Sequence, residues 1–230
     1  MQKKITTLAI GAALALAASG AFADQAGPND VRLGVYLVHY DTQASDISGP
    51  YAPAGLNVHL DNVTTLYLAY VRSLSTHFDV ELAFGYPPLT KTEGRGPATL
   101  GSVPYNGQVI STARWVAPTL LFEYVFGSAS SRLRPYIGAG VNYTRFVARQ
   151  STAAGDAASG GPTSINLPSS VGPAATAGLS YELTDRWHVY ASYSVAQVNS
   201  KLTADTAGIL RTSEIHFWPN TLVFSIGYSF

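Results

Sequence analysis

Five histidines are spread along the 230 residues: His39, His59, His77, His188 and His216. With the many serines they raise the question of nucleophilic catalysis. That chemistry needs a nucleophile within hydrogen-bond reach of a base, and a third group to orient the base. The spacing supplies neither, and the Gly-x-Ser-x-Gly turn of serine hydrolases is missing from the sequence. Metal binding fares no better: cysteine is absent and no His/carboxylate group has ligand spacing. Asn62-Val63-Thr64 and Asn142-Tyr143-Thr144 match a glycosylation pattern, but both fall within expected strands. No catalytic residue, metal or cofactor is expected. The formal charge is +0, with 14 basic and 14 acidic residues, so nothing points to nucleic acid.

The informative charges are Arg32, Glu81, Glu123, Arg134 and Glu182, which stand alternately with apolar neighbours. Glu81 sits in Phe78-Asp79-Val80-Glu81-Leu82-Ala83-Phe84 and Glu123 in Leu120-Leu121-Phe122-Glu123-Tyr124. Successive side chains of a strand leave opposite faces, so one face of each is apolar and the other polar. The last stretch shows the same pattern. Read backwards in twos it gives Phe230, Tyr228, Ile226, Phe224 and Leu222, against Ser229, Gly227, Ser225, Val223 and Thr221. Such a strand suits either the core of a sandwich or the lipid-facing wall of an outer-membrane barrel.

The N-terminus favours the barrel. Lys3 and Lys4, an uncharged run from Ile5 to Ala18, and Ala21-Phe22-Ala23 before Asp24 form a secretory signal peptide. Residues 1–23 are expected to be removed, leaving residues 24–230 as one domain. No later run approaches the roughly 20 apolar residues of a membrane helix. The pattern predicts strands at about 31–40, 62–72, 77–87, 109–126, 133–148, 173–183, 187–199 and 220–230. Pro118 predicts a bulge or a missing ladder bond in the fourth, and Pro173 opens the sixth. The connections alternate long and short, the long ones at 45–60, 88–107, 150–170 and 201–211. The third is rich in Ala, Gly and Ser and is expected to be irregular and mobile. Eight strands, short turns at one end and long loops at the other predict an all-β, eight-stranded antiparallel barrel in the bacterial outer membrane. Trp187, Tyr181, Tyr124, Tyr228 and Phe230 would form its periplasmic aromatic girdle.

Trp115-Val116-Ala117-Pro118-Thr119-Leu120, Phe122-Glu123-Tyr124-Val125-Phe126 and Arg134-Pro135-Tyr136-Ile137-Gly138-Ala139-Gly140-Val141-Asn142-Tyr143-Thr144 resemble the outer-membrane protein W (OmpW) family, which includes alkane-uptake proteins. Val31-Arg32-Leu33-Gly34, Gly178-Leu179-Ser180-Tyr181 and the terminal strand fit it too. The resemblance covers nearly all of the chain after the signal peptide. It implies a narrow apolar lumen closed at the periplasmic end, with small hydrophobic molecules leaving sideways between strands into the membrane. Glu123, where relatives often carry Gln, and the third long loop depart from the pattern.

By strand parity Arg32, Glu81, Glu123, Arg134 and Glu182 point into the barrel near the periplasmic turns. They could form a polar plug, a salt-bridge network that fixes register, or the lining of a wet pore. Higher up, Tyr36, Val38, Trp115, Ala117 and Tyr190 turn the lumen apolar; they either line a site for a small apolar solute or simply fill the barrel. The expected function is porin-like, passive passage of small hydrophobic solutes across the lipopolysaccharide layer by a monomer. The alternative is a structural or surface-interaction barrel whose long loops bind a partner. The terminal outward aromatic, Phe230, resembles the signal read by barrel-assembly machinery. Deleting Phe230 should therefore lower the yield of heat-modifiable protein in the outer membrane; an unchanged yield of folded barrel would exclude that role.

Overall fold

The computed structural model describes residues 27–97, 99–100 and 103–230. The expected signal peptide, residues 1–23, lies outside the described residues. The elements in order are β1 (Asn29–Ala44), β2 (Asn57–Leu60), β3 (Val63–Ser73), β4 (Phe78–Gly85), β5 (Leu89–Arg95), β6 (Thr99–Leu100), β7 (Val103–Pro104), β8 (Val109–Val116), β9 (Thr119–Val125), β10 (Leu133–Ser151), α1 (Ala153–Ser159), β11 (Thr163–Asn166), β12 (Ser170–Glu182), β13 (Trp187–Ala196), β14 (Val198–Thr206) and β15 (Ile209–Ser229).

Eight of these close a ring in the order β1, β3, β4, β9, β10, β12, β13, β15 and back to β1, every pair antiparallel. Closure is made by the two ends of the chain. β1 pairs with β15 from Asp30↔Ser229 to Ala44↔Ile215, and Phe230 exchanges backbone hydrogen bonds with Asn29. The outer wall carries Val31, Leu33, Val35 and Leu37 on β1, Leu120 and Phe122 on β9, and Leu222, Phe224 and Ile226 on β15, all exposed. Their neighbours Arg32, Val38, Leu121, Glu123, Val223 and Ser225 are buried inside. Large apolar side chains on the outside of a closed ring are stable only against lipid. At the short-turn end Trp187 packs edge-on against Tyr228 at 5.0 Å, and Tyr124 against Phe78 and Phe126 at 5.3 and 4.9 Å.

The interior is fitted by pairing large with small residues. A Cβ on Gly178 would lie 2.5 Å from the Tyr136 ring, and one on Gly227 would lie 2.7 Å from both Asp30 and the Tyr190 ring. These glycines hold the room that the buried tyrosines occupy.

The four long connections are more ordered than the sequence suggested. Residues 88–107 contain β5, β6 and β7, and residues 201–211 belong to a hairpin in which β14 pairs with a much longer β15. Residues 150–170 hold α1 and β11, where an irregular, mobile loop was expected. Thr152 caps α1 by accepting from the Gly155 N–H, and Gly160 ends it in the left-handed region at φ 89°. The Ala-rich run that reads as low complexity is also a run of strong helix formers. The fourth expected strand is split into β8 and β9 at Ala117-Pro118, because Pro118 has no N–H to donate. Pro173, by contrast, sits inside β12 opposite Val141, with its carbonyl accepting from Gln197 N–H. It lies three residues inside the strand and does not open it.

Candidate functional site

The lumen divides into two chambers. The lower is organised by Arg32, which β1 aims inward between Val31 and Leu33 and which is 4% exposed. Its Nη1 donates to Glu81 Oε2 at 2.6 Å, and its Nε to Asp30 Oδ2 at 3.2 Å. Glu123 Oε2 lies 4.0 Å from Nη1. The guanidinium carbon stands 3.8 Å from the centre of the Tyr190 ring and 5.8 Å from that of Tyr136. Tyr67 donates to Glu81 Oε1 at 2.8 Å and Tyr190 to Asp30 Oδ2 at 2.6 Å. One cation thus faces three carboxylates, and aromatic faces and hydroxyls satisfy much of the rest. Glu123 is left over: it is 1% exposed, and neither of its carboxylate oxygens has a hydrogen-bond partner.

The cluster lies between the two cavities of the lumen. Above it opens a cavity of about 1210 Å³, part of it continuous with solvent, bounded below by Glu81 and Tyr67. Tyr36, Val38, Trp115 and Ala117 line it, together with Leu121 and Phe146. Trp115 is fixed by its indole N–H, which donates to Thr90 Oγ1 at 3.0 Å. The walls continue upward into a buried cluster that includes Tyr40, Leu60, Val198, Ile215 and Phe217, supplied by the hairpins that extend beyond the barrel.

Tyr190 departs from its expected place. It belongs to the lower chamber, because it lies only three residues from the start of β13 and pairs with Ser225, near the level of Arg32. Arg134 and Glu182 also leave the cluster. They line the lower mouth, where Arg134 donates to the carbonyls of Phe126 and Thr76. Among the described residues neither forms an ion pair. Both lie within two residues of a turn, where backbone carbonyls are left without ladder partners. Asp30 was missed because it precedes the first apolar residue of its strand; its pairing with Ser229 was the only signal available.

The wall beside the upper cavity has a seam. Pairing of β4 with β9 ends at Ala83↔Thr119, and pairing of β5 with β8 begins at Leu89↔Arg114. Between them lie Pro87 and Pro88 on one side and Pro118 on the other. None of the three can donate to a ladder. One side chain reaches across this strip: Arg114 Nη1 donates to the Pro87 carbonyl at 2.7 Å. On its far side Tyr86 is tied to β3, its N–H donating to the Leu66 carbonyl and its carbonyl accepting from Thr65 Oγ1.

A family model described as OmpW family matches residues 25–230. The chain belongs to the OmpW family. Outer membrane protein W of Vibrio cholerae is 29% identical over 230 residues, covering 100% of both chains. The Escherichia coli protein of that name is 29% identical over 99% of this chain and 100% of its own. A Pseudomonas aeruginosa protein named dibenzothiophene metabolism operon protein PahQ is 32% identical over 51% of this chain and 52% of its own. Among solved structures, OprG of Pseudomonas aeruginosa superposes with a TM-score of 0.80 at 23% identity over 90% of this chain and 97% of its own. AlkL in lipid bilayers gives 0.63 at 17% identity over 92% and 95%. This OmpW-family chain is an eight-stranded outer-membrane barrel, as the closed ring and its apolar outer face require.

The cluster makes an asymmetric prediction. Arg32→Gln strands three buried carboxylates without their cation and should cost about 3–5 kcal/mol of stability. Glu123→Gln removes a charge that no group hydrogen-bonds and should change stability by less than about 1 kcal/mol, or raise it. Urea unfolding of both variants in the same lipid checks the order; equal losses would contradict it.

Proposed function

We propose that this barrel carries small hydrophobic molecules passively across the polar outer face of the outer membrane. In this reading the solute enters the upper chamber from outside and leaves sideways into the bilayer. The observation that carries it is a mismatch of walls: the chamber is apolar, its floor is an ion cluster, and its side has a seam without ladder bonds. An apolar solute resting on Trp115, Ala117 and Phe146 gains roughly 25 cal/mol for each Å² it buries. Passing Arg32, Glu81 and Asp30 would exchange that burial for contact with charge. Leaving between Tyr86-Pro87-Pro88 and Ala117-Pro118 delivers it to lipid as apolar as itself. A relative's link by name to dibenzothiophene metabolism supports an apolar class of solute.

The remaining roles follow from the same reading. Residues 1–23 direct export and are removed after Ala23, assembly machinery reads Phe230, and the barrel works as a monomer without a cofactor. Arg134 and Glu182 guard the lower mouth.

Trp115→Asp puts a hydrated charge into the chamber and should reduce uptake of a hydrophobic test solute by cells holding equal amounts of folded protein. Unchanged uptake would remove Trp115 from the path and favour the barrel whose lumen is structural.

A further inference from the structure

The outward face of the barrel is electrically uneven at one height. An apolar belt about 25 Å tall spans roughly ten residues of a tilted strand. On β10 ten residues lead from Leu133 to Tyr143, and the next outward side chain is Arg145. On β9 and β8 ten residues lead from Phe126 to Val116, and the next outward side chain is Arg114. On β5 the outward positions are Leu89 and then Lys91. The comparable outward positions on β1, β15 and β12 are His39, Asn220 and Val171. Further round, Lys201 stands opposite Glu214, its charge balanced.

The register brings the three cations together. Lys91 pairs with Thr112 and Leu89 with Arg114, while Val147 pairs with Arg114 and Arg145 with Val116. Lys91 and Arg145 are therefore the diagonal neighbours of Arg114 on one face, each about 7–8 Å from it between Cα positions. Lys91 and Arg145 are exposed. Asp61 stands opposite Lys91, its N–H donating to the Lys91 carbonyl at 3.1 Å. Among the described residues none of the three cations forms an ion pair, and two positive charges remain in excess of that one carboxylate. Arg114 commits one donor to the Pro87 carbonyl and keeps the others. Directly below lie Leu89, Val141 and Tyr143, exposed and apolar.

We propose that Lys91, Arg114 and Arg145 form a docking site for the phosphate groups of an outer-leaflet glycolipid, whose acyl chains lie along Leu89, Val141 and Tyr143. The height, the excess of cations over the one facing carboxylate, Asp61, and the apolar surface beneath match a phosphorylated amphiphile and not a free anion. The site stands on the outer face and does not depend on what the lumen carries.

The probes are lipid A carrying two phosphates, the same lipid with both removed, and inorganic phosphate, each titrated into the mature protein folded in phosphatidylcholine nanodiscs. The wild type should prefer the phosphorylated lipid, and raising the salt concentration should weaken that preference. Lys91→Gln with Arg145→Gln should weaken its binding roughly 25-fold, at about fivefold for each charge near the surface. Lys91→Arg with Arg145→Lys should keep it, and so should Lys201→Gln. A wild type that does not distinguish the two lipids would overturn the proposal. So would inorganic phosphate binding as tightly as the phosphorylated lipid, or Lys201→Gln weakening binding as much as the double variant.

Discussion

A backbone N–H or C=O exposed to hydrocarbon has no water to turn to, and that constraint governs the rest of this structure. Each unsatisfied group costs several kcal/mol, so strands in lipid must close into a ring. Here closure falls to the first and last strands, through the long β1–β15 ladder and the exchange between Asn29 and Phe230. Once the ring holds eight strands, its interior is barely wider than the side chains that enter it. Glycine must then stand beside tyrosine, as Gly178 does beside Tyr136. Every inward side chain becomes part of a plug or of a wall.

Two places break the general rule, and their positions give the barrel its character. In the lower lumen Arg32 is buried with more negative charge than it can neutralise, supported by the rings of Tyr190 and Tyr136. In the wall, three prolines interrupt the ladder at the height of Trp115 and Ala117, and the side chain of Arg114 reaches across in place of backbone pairing. The first lies across the lumen between the two cavities. The second leaves a strip of wall without ladder bonds beside the upper one. Were the seam at the level of Arg32, or the charges at the level of Trp115, the two features would work against each other.

Strand parity was legible from the sequence because the lipid face writes it in large apolar residues at every second position, as in Leu120, Phe122 and Tyr124. Height was harder to read. Parity alone put Tyr190 with the upper lining, although counting three residues from Trp187 places it low. The hairpins above the membrane were illegible for another reason. β14 and all of β5 beyond Leu89 rise above the apolar belt and lack its alternation, and Gly and Pro at their ends read as breakers, so only pairing in three dimensions reveals them. The charge cluster was half legible: Arg32, Glu81 and Glu123 share parity and level, but Asp30 enters through a ladder that closes over nearly the whole length of the chain. Arg134 and Glu182 share that parity too, yet free carbonyls at the turns draw Arg134 away. The Pro118 break was visible, whereas its partners Pro87 and Pro88 matter only because the fold sets them opposite it.

The central claim is that an apolar solute occupies the chamber above the ion cluster and does not pass below it. Intermolecular nuclear Overhauser effects test this directly, with methyl-labelled alanine and valine in the folded barrel, deuterated lipid and an unlabelled short alkane. The account predicts contacts from the alkane to the methyls of Val38, Ala113, Ala117 and Val223, which line the upper chamber, and none to Val71 and Val125, which line the lower. Contacts at Val71 and Val125 would mean passage straight through, and an absence of contacts at every inward methyl would mean a barrel that holds no solute.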